Sequence, residues 1–308
     1  MAINRTGLYV RRSAGGLFAV EDMAVSTGAR FFVDSTTGAD EAGNGTGPDN
    51  PVATIDYAMS LCTASKGDIV YVMPYHAENI TGASGIACDV IGVQVIGLGT
   101  GNAIPKITAT AAAGACTISV ADVTLRNLRF IANFETGVTQ TIAIAAGGDG
   151  TTLDGVQIRD TSATFEYLSH INVATTVTDL TIKNCDVVSL AGSLVSSILF
   201  AGTTSDVVIE DNHFFVDSSD SVINHSTGDS TNITIRRNVI ANEDTGAAGY
   251  CIELKSTGTG IVHDNYMAYN KVDAEIGTGA AAWWFQNYAS NTIAQSGLLD
   301  PTTAHAIP

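Results

Sequence analysis

A repeat that returns every 26 to 29 residues governs this chain. One phase carries Asn127, Gly155, Asn184, Asn212, Asn238 and Asn265, at gaps of 28, 29, 28, 26 and 27. A second carries Ile142, Ile171, Ile198, Ile223 and Ile252, at gaps of 29, 27, 25 and 29. Two markers in step mean one structural unit copied many times. Periods of this size belong to solenoids, propellers and arrays.

Each copy has a short alternating segment, then the Asn, then another short segment. Thr234-Ile235-Arg236-Arg237-Asn238-Val239-Ile240 parallels Val208-Ile209-Glu210-Asp211-Asn212-His213-Phe214. Leu180–Asn184 and Leu125–Asn127 are one residue shorter before the Asn. Alternation at period two indicates strands with one buried face. A strand rises ~3.3 Å per residue, so three short strands and their corners consume one repeat. A propeller blade of the WD type needs about 40 residues, and leucine-rich repeats show a Leu ladder. Neither matches. A coil of parallel strands stacked ~4.8 Å apart does.

The Asn phase then has a physical reason. A corner between strands needs a residue in the left-handed region, which Asn and Gly tolerate best. Stacked one per turn, the amides of Asn127, Asn184, Asn212, Asn238 and Asn265 can bond to each other and satisfy buried polar groups along the axis. This asparagine ladder is an expectation of the sequence.

Of the 308 residues 45% are hydrophobic and 15% charged, against a usual ~25% charged. Net charge is −17, which argues against nucleic acid as a partner, because phosphate contact needs Lys and Arg. The start differs: residues 1–20 carry Arg5, Arg11 and Arg12 and no acid. A basic arm on an acidic body could dock on an acidic partner surface. The first 20 residues lack the apolar run of about 7–15 residues that marks a secretory leader, so none is expected. No run reaches the ~18 apolar residues of a membrane span. The cysteines, Cys62, Cys88, Cys116, Cys185 and Cys251, are odd in number and lack a paired motif, which argues against a disulfide framework. Cys88 and Cys116 lie 28 apart, one repeat, and are expected as stacked core filler.

Three regions are expected. Residues 1–30 form an N-terminal arm, 31–270 the coil, and 271–308, with Trp283, Trp284 and Phe285, a partly helical C-terminal cap expected to join a subunit contact. Within the coil, Phe31–Asp34 reads as a strand and Ser35–Asn50 as a loop. Residues 51–63 read as an amphipathic helix with Pro51 near its start. That helix should cap the first turn, as repeat proteins require.

The stretch Val33-Asp34, Gly45-Thr46-Gly47, Pro51–Ile55, Ala58, Gly67–Val72, Pro74 and Glu78, followed by Val93–Gly99 and Pro105-Lys106-Ile107, resembles right-handed parallel β-helix proteins of the pectate-lyase-like superfamily. With the repeat, the resemblance covers about residues 31–270. It implies an all-β fold, a right-handed parallel β-helix solenoid of about seven to eight turns with an N-terminal capping helix. Phe31–Ser35, Gly67–Pro74 with His76-Ala77-Glu78, and Ser296–Pro301 are most similar to short β-helix proteins of tailed bacteriophages. That similarity implies a virion structural protein, such as a capsid decoration (cement) protein or a short spike, and a homotrimer.

Enzymes on this fold cleave polysaccharides. Hydrolases need two carboxylates about 5–9.5 Å apart. The position five after the Asn phase carries Asp160, Ser189, Asp217, Glu243 and Asn270. Asp217 and Glu243 would sit one turn apart, at ~5 Å, close enough for a retaining pair or a Ca²⁺ site. Arg236 and Arg237 lie nearby in sequence. Against catalysis, acidic residues on a solvated face explain the pair as well. The Trp-Ile-Asp-His-like and Arg-x-Pro-x-x-Arg segments of pectate lyases are missing, as are the Asn-Thr-Asp, Asp-Asp, His-Gly and Arg-Ile-Lys segments of polygalacturonases. His76, His170, His213, His225, His263 and His305 show no metal-ligand spacing in one phase, and each is expected at the surface. No cofactor and no metal is expected.

Phe214-Phe215 and Phe165-Glu166-Tyr167 place bulky groups on both faces of strands, so some must point out of the coil. Exposed apolar patches mark contact surfaces. The sequence thus reads first as a trimeric capsid decoration protein on the virion, held to the major capsid protein by Arg5, Arg11 and Arg12. The alternative is a short tailspike that binds or depolymerises host polysaccharide.

Overall fold

Hydrogen-bonding order, rather than helix, organises the chain. The computed structural model describes residues 28–135, 137–162, 164–245, 249–270, 277–279 and 281–291. For 9–11, 17–19, 190–191, 291 and 296–298 it describes the backbone alone. Three parallel sheets run the length of a coil, and each turn contributes one strand to each. The third sheet has eight strands, in line with the expected seven to eight turns. This is an all-β parallel solenoid with one short α-helix among the described residues.

Register shows why the sequence coils. Along the first sheet Val70, Val95, Leu125, Leu153, Ile182, Ile209, Ile235 and Val262 stand over one another. The second sheet stacks Ile107, Phe130, Ile158, Val187, Phe214, Ile240 and Met267. The third stacks Ile86, Cys116, Ile142, Ile171, Ile198, Ile223 and Ile252, so the Ile phase of the sequence is a core column. All of these are buried. Each large aliphatic side chain so buried contributes about 1.5–3 kcal/mol.

The first and second sheets meet at a sharp corner made by one left-handed residue. Asn127, Gly155, Asn184, Asp211, Arg237, Asp264 and Gln286 hold it, with φ between 53° and 65°. Asn, Asp and Gly suit this conformation. At Arg237 the backbone cost is offset by hydrogen bonds from Nε and Nη2 to Asp211, 2.8 and 2.7 Å long.

The first turn is closed by the helix Ile55–Leu61, shorter than the expected 51–63. Thr54 is its N-cap and accepts from the Tyr57 N–H, so Pro51 lies ahead of the helix rather than in its first turn. Ile55, Ala58 and Met59 face the core, and Glu78 accepts from the Ile55 N–H at 3.1 Å. Asp40, in the preceding loop, binds the N–H groups of Ala53 and Thr54 at 2.7 and 3.1 Å.

The far end departs from expectation. The segment 271–308 was to be a partly helical cap, yet Trp283–Phe285 and Tyr288–Asn291 extend the first and second sheets by another rung. The rhythm is hidden because Asn287 follows Asn265 by only 22 residues. Ser296–Leu298 then pairs antiparallel with the strand Tyr288–Asn291 and covers its edge. At the other end Tyr9–Arg11 and Leu17–Ala19 form an antiparallel pair within the arm.

Candidate functional site

The Asn phase proves to be two ranks. Asn127 and Asn184 occupy the left-handed corner, where their amides serve single neighbours: Asn127 donates to Gly97 O and Gly99 O, Asn184 to Asp154 Oδ1. They stand outside the ladder. Asn212, Asn238 and Asn265 sit one residue further on, and Asn287 joins them. Asn212 Nδ2 donates to Asn238 Oδ1 at 3.0 Å, Asn238 to Asn265 at 3.0 Å, and Asn265 to Asn287 at 2.9 Å. In the earlier turns this rank is Leu128, Val156 and Cys185. The ladder begins only where the corner residue changes to Asp211, and the extra residue before the Asn was its sequence signal.

Asp217 and Glu243 do stand on adjacent rungs of the second sheet, one residue past the Val216–Asn242 pair. Burial raises the Asp217 carboxyl pKa, and the charge of Asp244 adds to it. Asp217 is partly buried and Glu243 exposed. The nearby arginines of the sequence are elsewhere: Arg236 lies on the first sheet and Arg237 at its corner. Both are engaged, Arg236 with Glu210 at 2.6 Å and Arg237 with Glu210 and Asp211 at 2.8 and 2.7 Å. Hydrogen bonding by Arg237 holds the Asp211 carboxyl below its usual range.

That ion cluster belongs to a longer pattern. The outer column of the first sheet reads Arg126, Asp154, Lys183, Glu210, Arg236 and His263, alternating in sign until the histidine. Turn by turn the face compensates its own charge. On the second sheet Arg159 and His213 bracket Asp186.

The last two rungs break this pattern. Outward positions of the first sheet become Ile261, Trp283 and Phe285, and those of the second sheet Tyr266 and Tyr288 above Val239. All six are 41–59% exposed. Phe285 stacks on His263 with centroids 4.8 Å apart and an interplanar angle of 3°. Tyr288 stacks on Tyr266 at 5.4 Å and 11°. Beside the tyrosines a groove of about 390 Å³ runs over Ala241, Ala268 and Ser290. Sequence reasoning looked for outward aromatics at Phe215 and Phe165, which are half-buried. It places Trp283 and Phe285 in a cap joined to a subunit contact, and misses that they lie on a further rung of the coil beside the tyrosines.

Three histidines expected at the surface are buried. His76 accepts the Ser35 N–H at Nδ1 and meets Glu78 Oε2 through Nε2. His225 meets Gly228 O through Nδ1 and Thr204 Oγ1 through Nε2. Loop backbone at Ser35 and Gly228 and the side chains of Glu78 and Thr204 supply their partners, which repeat phase could not reveal. His170 bonds Ser197 Oγ at 3.1 Å, and burial lowers its pKa to about 3. Around it the core turns polar. Thr141 Oγ1, Tyr167 Oη, His170 Nε2, Ser196 Oγ and Asp160 Oδ2 are buried without a hydrogen-bond partner in the described structure. Asp160, on the inner side of the second sheet, has its pKa raised to about 6 by burial. Ser189 and the Tyr167 N–H pull the other way, although Ser189 stands outside formed hydrogen-bond geometry.

The cysteines are free, and four are buried. Cys88 and Cys116 have sulfurs 3.9 Å apart, but Cys116 is in register with Ile86 and Cys88 with Ile118. They are diagonal neighbours rather than a stacked pair. Arg5, Arg12 and His305 lie outside the described residues, and Arg11 ends the strand Tyr9–Arg11. Among the described residues no helix is long and apolar enough to cross a membrane, and no three His, Cys, Asp or Glu side chains gather as metal ligands.

No protein-family model matches the chain, and no curated protein sequence does. Solved structures similar to it include a rhamnogalacturonan lyase, 10% identical over 89% of this chain and 90% of that one, with a TM-score of 0.48. Pectate lyase Pel9A is 13% identical over 87% and 78%, at 0.47. An endo-xylogalacturonan hydrolase from Aspergillus tubingensis is 9% identical over 79% and 82%, at 0.40. The assignment of the fold rests on the strand pairing described above, and likeness at this level says nothing of activity.

Proposed function

We propose that this chain is a structural protein of a bacteriophage virion, a trimeric capsid decoration (cement) protein. The arm with Arg5, Arg11 and Arg12 holds it to the major capsid protein, and the coil stands off as a rigid body. The observation that carries this reading is the distribution of surface chemistry. The outer column of the first sheet compensates its own charge, as at Arg236, Arg237, Glu210 and Asp211, while apolar side chains gather on the last rungs. A body of that kind interacts through its ends. Deleting residues 1–30 tests the arm: the truncated protein loses binding to purified particles. Binding that survives the deletion contradicts the assignment.

The second reading is a short tailspike that binds or depolymerises host polysaccharide. Its support is the placement of Asp217 and Glu243 on adjacent rungs, ~5 Å apart along the axis, with the Asp217 pKa raised. On this reading Asp217→Asn and Glu243→Gln each abolish release of oligosaccharide from bacterial capsule. Activity retained in both variants rejects the pair.

A further inference from the structure

We propose that the core of this coil is wet at one level, where the turns of Asp160 and Ser189 hold a small cluster of ordered water molecules. The site goes beyond both readings above and depends on neither.

Two inner columns meet at the corner between the second and third sheets. The first reads Ala132, Asp160, Ser189 and Val216 from turn to turn. The second reads Ala115, Thr141, His170, Ser197 and Val222. Both are apolar at their outer members and polar between them. Asp160 and His170 share one turn, Ser189 and Ser197 the next. Between Asp160 and His170 the chain also sends Tyr167 into the core, wholly buried. Its N–H donates to Asp160 Oδ1 at 3.0 Å, and its ring stands edge-on to His170 with centroids 6.1 Å apart. The polarity is therefore confined to one level and assembled from three separate segments.

Thr141 Oγ1, Asp160 Oδ2, Tyr167 Oη, His170 Nε2, Ser189 Oγ and Ser196 Oγ are buried here with no hydrogen-bond partner among the described residues, and Glu166 Oε2 of the same loop is another. Buried polar groups are paired with protein or with ordered water. Burial raises the Asp160 and Tyr167 pKa values, and the hydroxyls of Ser189 and Thr141 pull them back, so each hydroxyl faces its neighbour. Neither pair closes to a direct bond. A polar gap of that kind is bridged by water. A buried water makes about three hydrogen bonds, so about two or three waters serve the whole set. The chemistry suits water better than an ion. Four of these groups are hydroxyls, which donate and accept as water does. Among the described residues no three His, Cys, Asp or Glu side chains gather as metal ligands. The serines are smaller than Val216 and Val222 in the same columns, while rung spacing is constant, so the coil is less filled at this level. Asp160 alone of the two polar columns is part-exposed, and exchange with bulk solvent runs past its carboxylate.

The test uses the full chain. Thr141→Val and Tyr167→Phe each delete one of these hydroxyls and keep the outline of the side chain. Removing a dry, unpaired hydroxyl raises the urea midpoint, whereas removing one that is bound to water lowers it. Both midpoints should fall. Magnetic relaxation dispersion of the solvent counts the waters directly, because it detects molecules held longer than the protein takes to tumble. The double variant Asp160→Ala with Ser189→Val copies the apolar columns on either side, and should lose about two long-lived waters relative to the wild type. Ser189→Val alone takes its place if circular dichroism shows the double variant unfolded. The proposal is overturned if either hydroxyl deletion raises the midpoint, or if the filled variant keeps every long-lived water. It is also overturned if sodium stabilises the wild type more than choline at equal ionic strength and Asp160→Ala removes the difference, which assigns the site to a cation.

Discussion

Asn238 donates from Nδ2 to Asn265 Oδ1 at 3.0 Å, and the same oxygen accepts the Asn238 backbone N–H at 3.0 Å. One carboxamide oxygen thus holds both the side chain and the main chain of the turn before it. Nδ2 of Asn238 also donates to Ile209 O, one turn back in the stack. The ladder pins three turns in register at a corner where an apolar side chain would leave backbone groups unpaired.

Replacing Asn238 with leucine should therefore cost more than its volume suggests. The Asn212 amide, Asn265 Oδ1 and Ile209 O each lose a partner in a buried site. At roughly 1–3 kcal/mol per unsatisfied group, partly relieved by relaxation, the expected loss is about 3 kcal/mol. Urea unfolding measures it. Val156→Asn, at the same rank in an apolar turn, should destabilise too, because no amide stands beside it.

Acid should unfold the protein partly through His170. Its folded pKa, about 3, lies below the unfolded value of about 6.5. Below pH 6.5 the unfolded chain takes a proton that the folded chain refuses. Stability from this group is present above 6.5 and is lost as pH falls toward 3. His170→Gln should flatten the fall in urea midpoint across that window. An unchanged slope would mean that His170 is not the titrating group.

Asp160 works in the opposite sense. Its folded pKa is raised from 3.8 to about 6. Its contribution is present below 3.8 and is lost as pH rises through 6. At pH 7 the folded chain carries a charge in a mostly buried site. Asp160→Asn should thus raise stability at pH 7 by about 1–3 kcal/mol and give little gain at pH 4, as read from paired urea titrations.

The thiols should be silent in the native protein. Burial pushes the Cys62 and Cys185 pKa values up to about 12 and also raises Cys251. A disulfide-exchange reagent at pH 8 should label none of them in minutes and all five after denaturation. Rapid native labelling of any one would place it in contact with solvent.

Much of the coil was legible in the sequence because its signals are periodic. Ile142, Ile171, Ile198, Ile223 and Ile252 repeat because they fill one core column. The ladder was legible only in part. Asn184 and Asn212 look like one phase, yet Ile182 pairs with Ile209, an offset of 27 that moves the Asn one place along the corner. A count of gaps cannot separate a corner residue from its neighbour, because both are polar and one apart. The ledge of the last rungs was legible only as an aromatic cluster at Trp283, Trp284 and Phe285, not as a further rung of the coil. Trp283 keeps the register of Ile261, but the connection before it is short, so the repeat seems to stop at residue 270. His76 and His225 likewise depend on loop backbone that no period encodes.

The central claim is that the chain is a trimeric structural protein. Sedimentation equilibrium on the full 308-residue protein tests this most directly. The account predicts a single species at three times the chain mass of 31.8 kDa. A wild-type protein that stays at 31.8 kDa into the micromolar range would contradict it.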